Sequence, residues 1–334
     1  MSNIQHVTDY ASKGILLFIN KLIQNLNQYD RKSTVELNNW NDVDLFKRST
    51  ISHFHFSNST RRTLISIPFF RARKKVVTLH DIKPRCKWVP KTFIKIIYLY
   101  LNIFADRFIV HSAYAKAMFM DIASFIPSEK ISIIPLGCEI WDDNNNSHNL
   151  RTHYGLNDAD LIFSMVGSIK DPGQLEAIRI FSELDLPNAK LIIIGGTSNK
   201  KHRKFIEDHL RNNMMYLGFV DDNILLDHIK LSDFLISYRL ESVGESSGPM
   251  LQAIGSGTPI ICSNVGSFPE VVGEAGIIVR NANELRNTLK ELHNSPSIKR
   301  EIAECVNIQR LKYNWKNIAK SHHLLYNSLL EDKP

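Results

Sequence analysis

The sequence predicts an α/β protein built from two Rossmann-like, doubly wound parallel-sheet domains. Three observations predict it. Short continuous apolar runs, such as Leu161–Gly167, Ala189–Gly196 and Phe234–Tyr238, read as strands buried on both faces, the pattern of parallel sheets. They alternate with segments apolar at helical spacing, such as Ile15–Leu26 and Lys91–Phe104. The 334 residues suit two full cores, and the polar, asparagine-rich stretch Asp142–Asn149 reads as the linker. The expected domains are therefore residues 1–141 and 150–313, joined by 142–149.

Composition narrows the function classes. The net charge of +7 is uneven: residues 1–140 hold 20 Lys and Arg against 10 Asp and Glu, leaving 21 against 24. The basic excess belongs to the first half, but no nucleic-acid module accompanies it, so nucleic acid is not an expected partner. Cys86, Cys138, Cys262 and Cys305 are far apart with no CxxC pair, which argues for reduced thiols and against a disulfide or zinc framework. The start Met1–His6 lacks the layout of a signal peptide. No run approaches the ~18 apolar residues of a spanning helix. A cytoplasmic protein is the expectation.

In chain order, Asn3–Thr8 reads as a strand, followed by Gly14 and the helix Ile15–Leu26. Residues 30–50 are polar and poorly patterned. Ile51–Phe56 alternates as a strand and sets His53 and His55 on one face, a spacing a metal could use; with no third ligand nearby in sequence, a structural role is expected. Lys74–Asp81 reads as a buried strand ending in His80-Asp81. His80 falls where open α/β sheets bind ligands, or else it is a turn residue.

Lys91–Phe104 is a strongly apolar helix with Lys83, Arg85, Lys87, Lys91 and Lys95 on or before its start. A core helix with a basic solvated end is preferred over one lying on an anionic membrane surface. Arg107–Lys116 reads as strand, turn and helix, with His111 at the strand end and Ser112 as N-cap. In the second half, the glycine turn after Ala189–Ile194 is not Gly-x-Gly-x-x-Gly, so NAD is unsupported. Asp221-Asp222 reads as a helix cap, and Tyr313-Asn-Trp315 starts a last helix reaching Leu330.

The stretch from Glu241 to Gly266 carries the chemistry. It follows the strand Phe234–Tyr238 and turns through small residues into a short helix. Ser246 or Ser247 is the expected N-cap, Pro249 suits the first turn, and Gly255 and Gly257 end the helix. A strand, a small-residue turn and a helix N-terminus bring free amides and positive potential to one spot, which suits phosphate. Glu245 is an acceptor placed for hydroxyls.

This stretch resembles the nucleotide-sugar loop of the family-4 glycosyltransferases, retaining enzymes of the GT-B fold. Ala253, Gly257 and Pro259 align with the family's Glu-Gly-Phe-Gly-x-x-x-x-Glu-Ala then Gly-x-Pro, which places Gly244 and Gln252 where the two glutamates stand. Gly244-Glu-Ser-Ser-Gly248 resembles a variant with the acid one place later, at Glu245. Ile134-Pro-Leu-Gly137 and Val265–Glu270 are also similar to family phrases. The resemblance covers residues 75–330 well and the first 70 loosely.

The resemblance implies two domains facing across a cleft, with the last helix (314–330) packing back on the first. It implies a UDP- or GDP-sugar as donor and a glycan or lipid-linked acceptor, with no cofactor and no metal. The family's diphosphate-binding Arg and Lys fall at Ser168 and Gly173, so Lys170 and Arg239 are the candidate substitutes. Gly14 and Gly167 stand for the glycine turns. Phe219 and Val220 would touch the base, Glu245 the ribose, and Ser246, Ser247 and Gly248 the phosphates. His80 or His111 would orient the acceptor or the sugar. A peripheral contact with the inner membrane face through the basic first half is a further expectation. A catalytically silent GT-B partner or chaperone of an active transferase is the alternative, on the strength of the missing glutamate pair and missing Arg and Lys.

Overall fold

The computed structural model describes residues 3–8, 13–29, 34–39, 48–57, 61–84, 89–141, 146–295 and 297–331. Arg85, Lys87 and the pair Asp142-Asp143 lie outside the described residues. The chain divides into two compact units. One comprises Met1–Gly137, Val243–Ser246 and Trp315–Pro334, the other Cys138–Ser242 and Ser247–Asn314.

The first unit holds strands β1 (Asn3–Thr8), β2 (Thr34–Asn39), β3 (Ser49–Phe56), β4 (Ala72–Leu79), β5 (Arg107–Val110) and β6 (Ile131–Ile133). All pair in parallel in the order β2-β1-β3-β4-β5-β6. Its helices are α1 (Lys13–Tyr29), α2 (Arg61–Ser66), α3 (Lys91–Phe104) and α4 (Ala113–Ile122). β2 corrects the reading of residues 30–50 as unpatterned. Its sequence, TVELNN, carries no apolar run because it is an edge strand that pairs only with β1. Ser112 caps α4 as expected, accepting the Ala115 N–H at 3.0 Å. Gly14 lies in the first turn of α1 rather than in a loop before it.

The second unit holds β7 (Leu161–Val166), β8 (Ala189–Ile194), β9 (Met214–Gly218), β10 (Phe234–Ser237), β11 (Ile260–Ser263) and β12 (Gly276–Val279). They form a parallel sheet in the order β12-β11-β10-β7-β8-β9. Its helices are α5 (Asn146–His153), α6 (Pro172–Glu183), α7 (Lys200–His209), α8 (Asp222–Leu231), α9 (Gly248–Ser256), α10 (Phe268–Val272), α11 (Ala282–Asn294) and α12 (Ser297–Tyr313). α13 (Trp315–Glu331) packs against α1 and groups with the first unit.

α5 corrects the reading of Asn146–Asn149 as linker. Leu150 and Tyr154 pack on the cluster around Ile162, Ile192 and Leu231, and that tertiary anchor holds a polar segment helical. α3 meets the core-helix expectation on one face only. Only Ile94, Tyr98 and Leu101 are buried, whereas Phe93, Ile96, Leu99 and Ile103 are each more than half exposed. No helix among the described residues is long and apolar enough to cross a membrane.

Several helix starts follow local rules. Asp171 and Gln174 form a capping box at α6, and Asn281 caps α11 by accepting the Glu284 N–H at 2.9 Å. Asn281→Ala is expected to cost about 1 kcal/mol, read as a lower urea midpoint at unchanged slope.

Candidate functional site

In an open α/β sheet, ligands gather beyond the carboxyl ends of the strands where the strand order reverses. In the second unit that point lies between β7 and β10, which pair through Phe234↔Phe163 and Leu235↔Ser164. Gly167, Ser168 and Lys170 follow β7. Arg239 and the Glu241–Gly248 turn follow β10. The topology thus brings residues some 70 positions apart in sequence to adjacent strand ends.

Helix α9 starts at this switch point. Ser247 is its N-cap with extended backbone (φ −92°, ψ 107°), and Pro249 sits in the first turn. The Ser247 hydroxyl makes no capping bond; its Oγ is buried without a hydrogen-bond partner. This departs from the expected side-chain cap and leaves an unsatisfied polar atom beside the open amides of the first turn. Pro249 contributes no N–H, so the Gly248 and Met250 amides carry that end. Gly257 (φ 80°) terminates the helix, and Gly255 lies inside it.

Tight glycines shape the neighbouring turns. A Cβ on Gly195 (φ 133°) would stand 2.0 Å from the Gly167 carbonyl oxygen, so these two strand ends close up only because residue 195 has no side chain. Next to it, a Cβ on Gly196 would meet nothing within 4 Å. Gly195→Ala is expected to cost about 2–5 kcal/mol from left-handed strain and overpacking together, and Gly196→Ala under about 1. Paired urea titrations check this; equal losses would count against the packing.

Gly173 explains its own departure from the family pattern. A Cβ there would lie 2.9 Å from the Arg239 Cα, so residue 173 cannot carry a lysine without moving that backbone. The Leu240 N–H donates to Asp171 Oδ1 at 3.1 Å, fastening the same two loops together. The Arg239 side chain is half-buried, its guanidinium 5.5 Å above the Phe268 ring, while Lys170 is exposed. Beyond β9, Phe219 is 79% exposed and Val220 packs on the Ile162–Leu231 cluster.

Val243–Ser246 groups with the first unit. Val243 accepts the Ile82 and Lys83 N–H groups at 3.1 and 3.0 Å. Gly244 has φ 85°, and a Cβ there would lie 2.7 Å from Ile82, so a glutamate at that position would be strained and obstructed. Glu245 is buried, and its Oε2 accepts the Val243 N–H at 2.8 Å; the acid therefore closes its own turn.

His80 and His111 follow β4 and β5 in the first unit, joined Nδ1 to Nε2 at 3.2 Å. Four other histidines gather with them: His6, His53, His55 and His322, all fully buried. His111 Nδ1 must donate to the Ile134 carbonyl at 2.9 Å, so its Nε2 is an acceptor. The neutral tautomers then follow in order. His80 Nδ1–H donates to His111, His55 Nδ1–H to His80 at 3.2 Å, and His6 Nδ1–H to His55 Nε2 at 2.9 Å. The chain ends on His6 Nε2, which is buried without a partner. Burial pushes His6 down to about 3 and His111 down to about 4, and it holds His53, His55 and His80 well below the usual 6.5. Both ring nitrogens of His80 and His111 are thus engaged. Half-buried His80 is the member a hydroxyl could reach, by displacing a 3.2 Å link. Sequence reading missed His6, His322 and Tyr326, which lie 47 to 273 positions from His53; strand register joins His6, and the packing of α13 brings His322 and Tyr326.

Residues 161–295 match the family described as "Glycosyl transferases group 1". The chain is 27% identical over 223 residues to an uncharacterized glycosyltransferase of Methanocaldococcus jannaschii, covering 61% of this chain and 56% of that protein. It is 32% identical over 108 residues to the O-antigen chain mannosyltransferase B of Escherichia coli, 30% of this chain and 27% of that protein. The chain thus spans about half or less of the length of these curated relatives. Among solved structures, Anabaena HepE in complex with UDP and glucose has a TM-score of 0.79 at 16% identity, over 98% of this chain and 100% of that one. Sucrose-phosphate synthase from Thermosynechococcus elongatus has 0.76 at 16%, over all of both chains. The fold is that of the GT-B glycosyltransferases: two parallel-sheet α/β domains.

Proposed function

We propose that this protein is a retaining glycosyltransferase that moves a hexose-type sugar from a UDP- or GDP-sugar to a glycan or lipid-linked acceptor in glycoconjugate synthesis. The observation that carries the reading is the buried, unpartnered Ser247 Oγ at the open end of α9, set at the switch point of the sheet. A diphosphate oxygen would satisfy that hydroxyl and the Gly248 and Met250 amides together. Arg239 and Lys170 would oppose the charge that grows on the leaving phosphate. Gly173 supports the assignment of Arg239, because the missing side chain is what lets the Arg239 backbone come close.

The leaving phosphate would take the acceptor's proton on the same face, so few acid–base side chains are required. Glu245 would meet the ribose hydroxyls, Phe219 and Val220 the base, and His80, backed by His111, a hydroxyl of sugar or acceptor. The scheme uses no metal ion, and transfer should survive EDTA. The exposed face of α3, with Lys91 and Lys95 on the same helix, suits the surface of an anionic bilayer, which fits a cytoplasmic protein working at the inner face on a lipid-linked acceptor.

Titration calorimetry with UDP and GDP, followed by mass spectrometry of products from a glycolipid pool, tests the reading. Binding of one nucleotide with sugar transfer supports it; binding of neither rejects it. The catalytically silent partner keeps one specific support, since Gly244 and Gly173 cannot carry the family's acid and base without strain or collision. That reading predicts no nucleotide binding.

A further inference from the structure

Three buried histidines of the first unit, His6, His53 and His55, have no part in the proposed sugar transfer. We propose that His6, His53 and His55 hold one transition-metal ion of the zinc–nickel–copper group. His6 on β1 stands opposite His53 on β3 in the parallel register, and His55 follows on the same face. Each ring offers one nitrogen, and the three nitrogens lie within 4.8 Å of one another. It is the one such cluster of three among the described residues. The third ligand that the sequence lacked nearby is supplied by strand pairing.

Second contacts favour a built site. A metal-ligating imidazole is normally held through its other nitrogen. His55 is held by His80 at 3.2 Å. His53 touches the Tyr326 hydroxyl through Nδ1 and the Thr78 hydroxyl through Nε2, each at 2.6 Å, so whichever nitrogen does not ligate stays anchored. His6 has a fully buried ring nitrogen with no partner at all. A neutral imidazole always carries one lone pair, so three of them can ligate without any proton leaving. Without an ion, the orphaned nitrogen costs about 1–3 kcal/mol of desolvation.

Ligand chemistry selects the ion. Three imidazoles and no carboxylate suit zinc, nickel or copper and not calcium or magnesium. With metal–nitrogen distances of about 2.0–2.1 Å, tetrahedral ligand nitrogens stand about 3.3 Å apart. The widest pair of ligand nitrogens must close by about 1.5 Å, within reach of side-chain torsions, and the His6 Nδ1–H bond to His55 Nε2 must break to free that lone pair while His6 ligates through its orphaned Nε2. The three rings are fully buried, so the ion would enter as the unit folds.

The test uses the untagged full chain, unfolded in chelator and refolded with one equivalent of Zn²⁺, Ni²⁺, Cu⁺ under reductant, Mg²⁺ or Ca²⁺. Metal retained after gel filtration is counted by mass spectrometry. About one ion per chain is expected for at least one of the first three and none for the last two. His6→Gln and His53→Gln should each weaken retention at least about tenfold, while His293→Gln, half-buried in the second unit, should not. If the two variants fail to fold, X-ray absorption of the loaded wild-type chain decides by showing or lacking imidazole nitrogens at about 2.0–2.1 Å. A wild-type chain that keeps none of the three ions, or folded variants that keep them unchanged, overturns the site. Nucleotide binding plays no part in these readouts, so the sugar-transfer reading stands or falls separately.

Discussion

Metal-free protein is expected to lose stability steeply as pH falls from 6.5 toward 4. His111 and His322 are fully enclosed and held down to about 4 by burial, against the usual 6.5 in an unfolded chain. Above pH 6.5 both states are neutral at these rings, and stability is at its full value. Between 6.5 and about 4 the unfolded chain binds protons that the folded chain refuses, so acid favours unfolding. At pH 5 either ring taken alone contributes about 2 kcal/mol of this loss. Set against a typical 5–15 kcal/mol, that is a large share.

His111 faces the Ile134 carbonyl, His80 and Phe18, and His322 faces the Ile318 carbonyl, His53, Tyr326 and Phe18. None of these is a carboxylate that would hold an imidazolium. His6, His53, His55 and His80 act in the same direction, and all six rings titrate as a linked set, so the losses are not additive. Urea midpoints at pH 8, 7, 6 and 5 measure the slope. A midpoint unchanged from pH 7 to pH 5 would show that the histidines are not enclosed as described.

Removing the Arg239 guanidinium is expected to lower turnover about 10²–10³-fold, equivalent to about 2.7–4 kcal/mol of transition-state stabilisation. The reason is positional. Gly173 lets the Arg239 backbone approach, the Leu240 N–H bond to Asp171 fixes the loop, and Phe268 supports the guanidinium face. A cation held this way loses little freedom when charge appears on a leaving phosphate. Arg239→Lys should recover only part of the rate, because an ammonium lacks the planar fork. Lys170→Ala should cost less, since that side chain is exposed and must be ordered at each turnover. Circular dichroism controls for folding, and single-turnover rates with the preferred nucleotide sugar give the readout. Wild-type rates in folded Arg239→Ala would remove this residue from the site.

Much of the architecture was legible along the chain. The apolar runs at Leu161–Val166, Ala189–Ile194 and Phe234–Ser237 became the parallel strands read from them, and Ser112 capped its helix as its type suggested. Ser247 took the N-cap position, but only the fold showed its hydroxyl buried and unpartnered. Edge strand β2 and helix α5 escaped because each depends on a neighbour rather than on its own pattern. The exposed face of α3 escaped for the opposite reason: an apolar stripe looks the same whether covered or bare.

Sequence by itself determined what each segment becomes, because burial on two faces, helical spacing and capping are local and leave a periodic mark. Tertiary structure alone decided which distant groups meet. It set His6 beside His53, Tyr326 beside both, and Gly173 beneath Arg239. Such meetings depend on strand register and crossover, and a contact between residues 47 or 273 positions apart leaves no trace in the spacing of either.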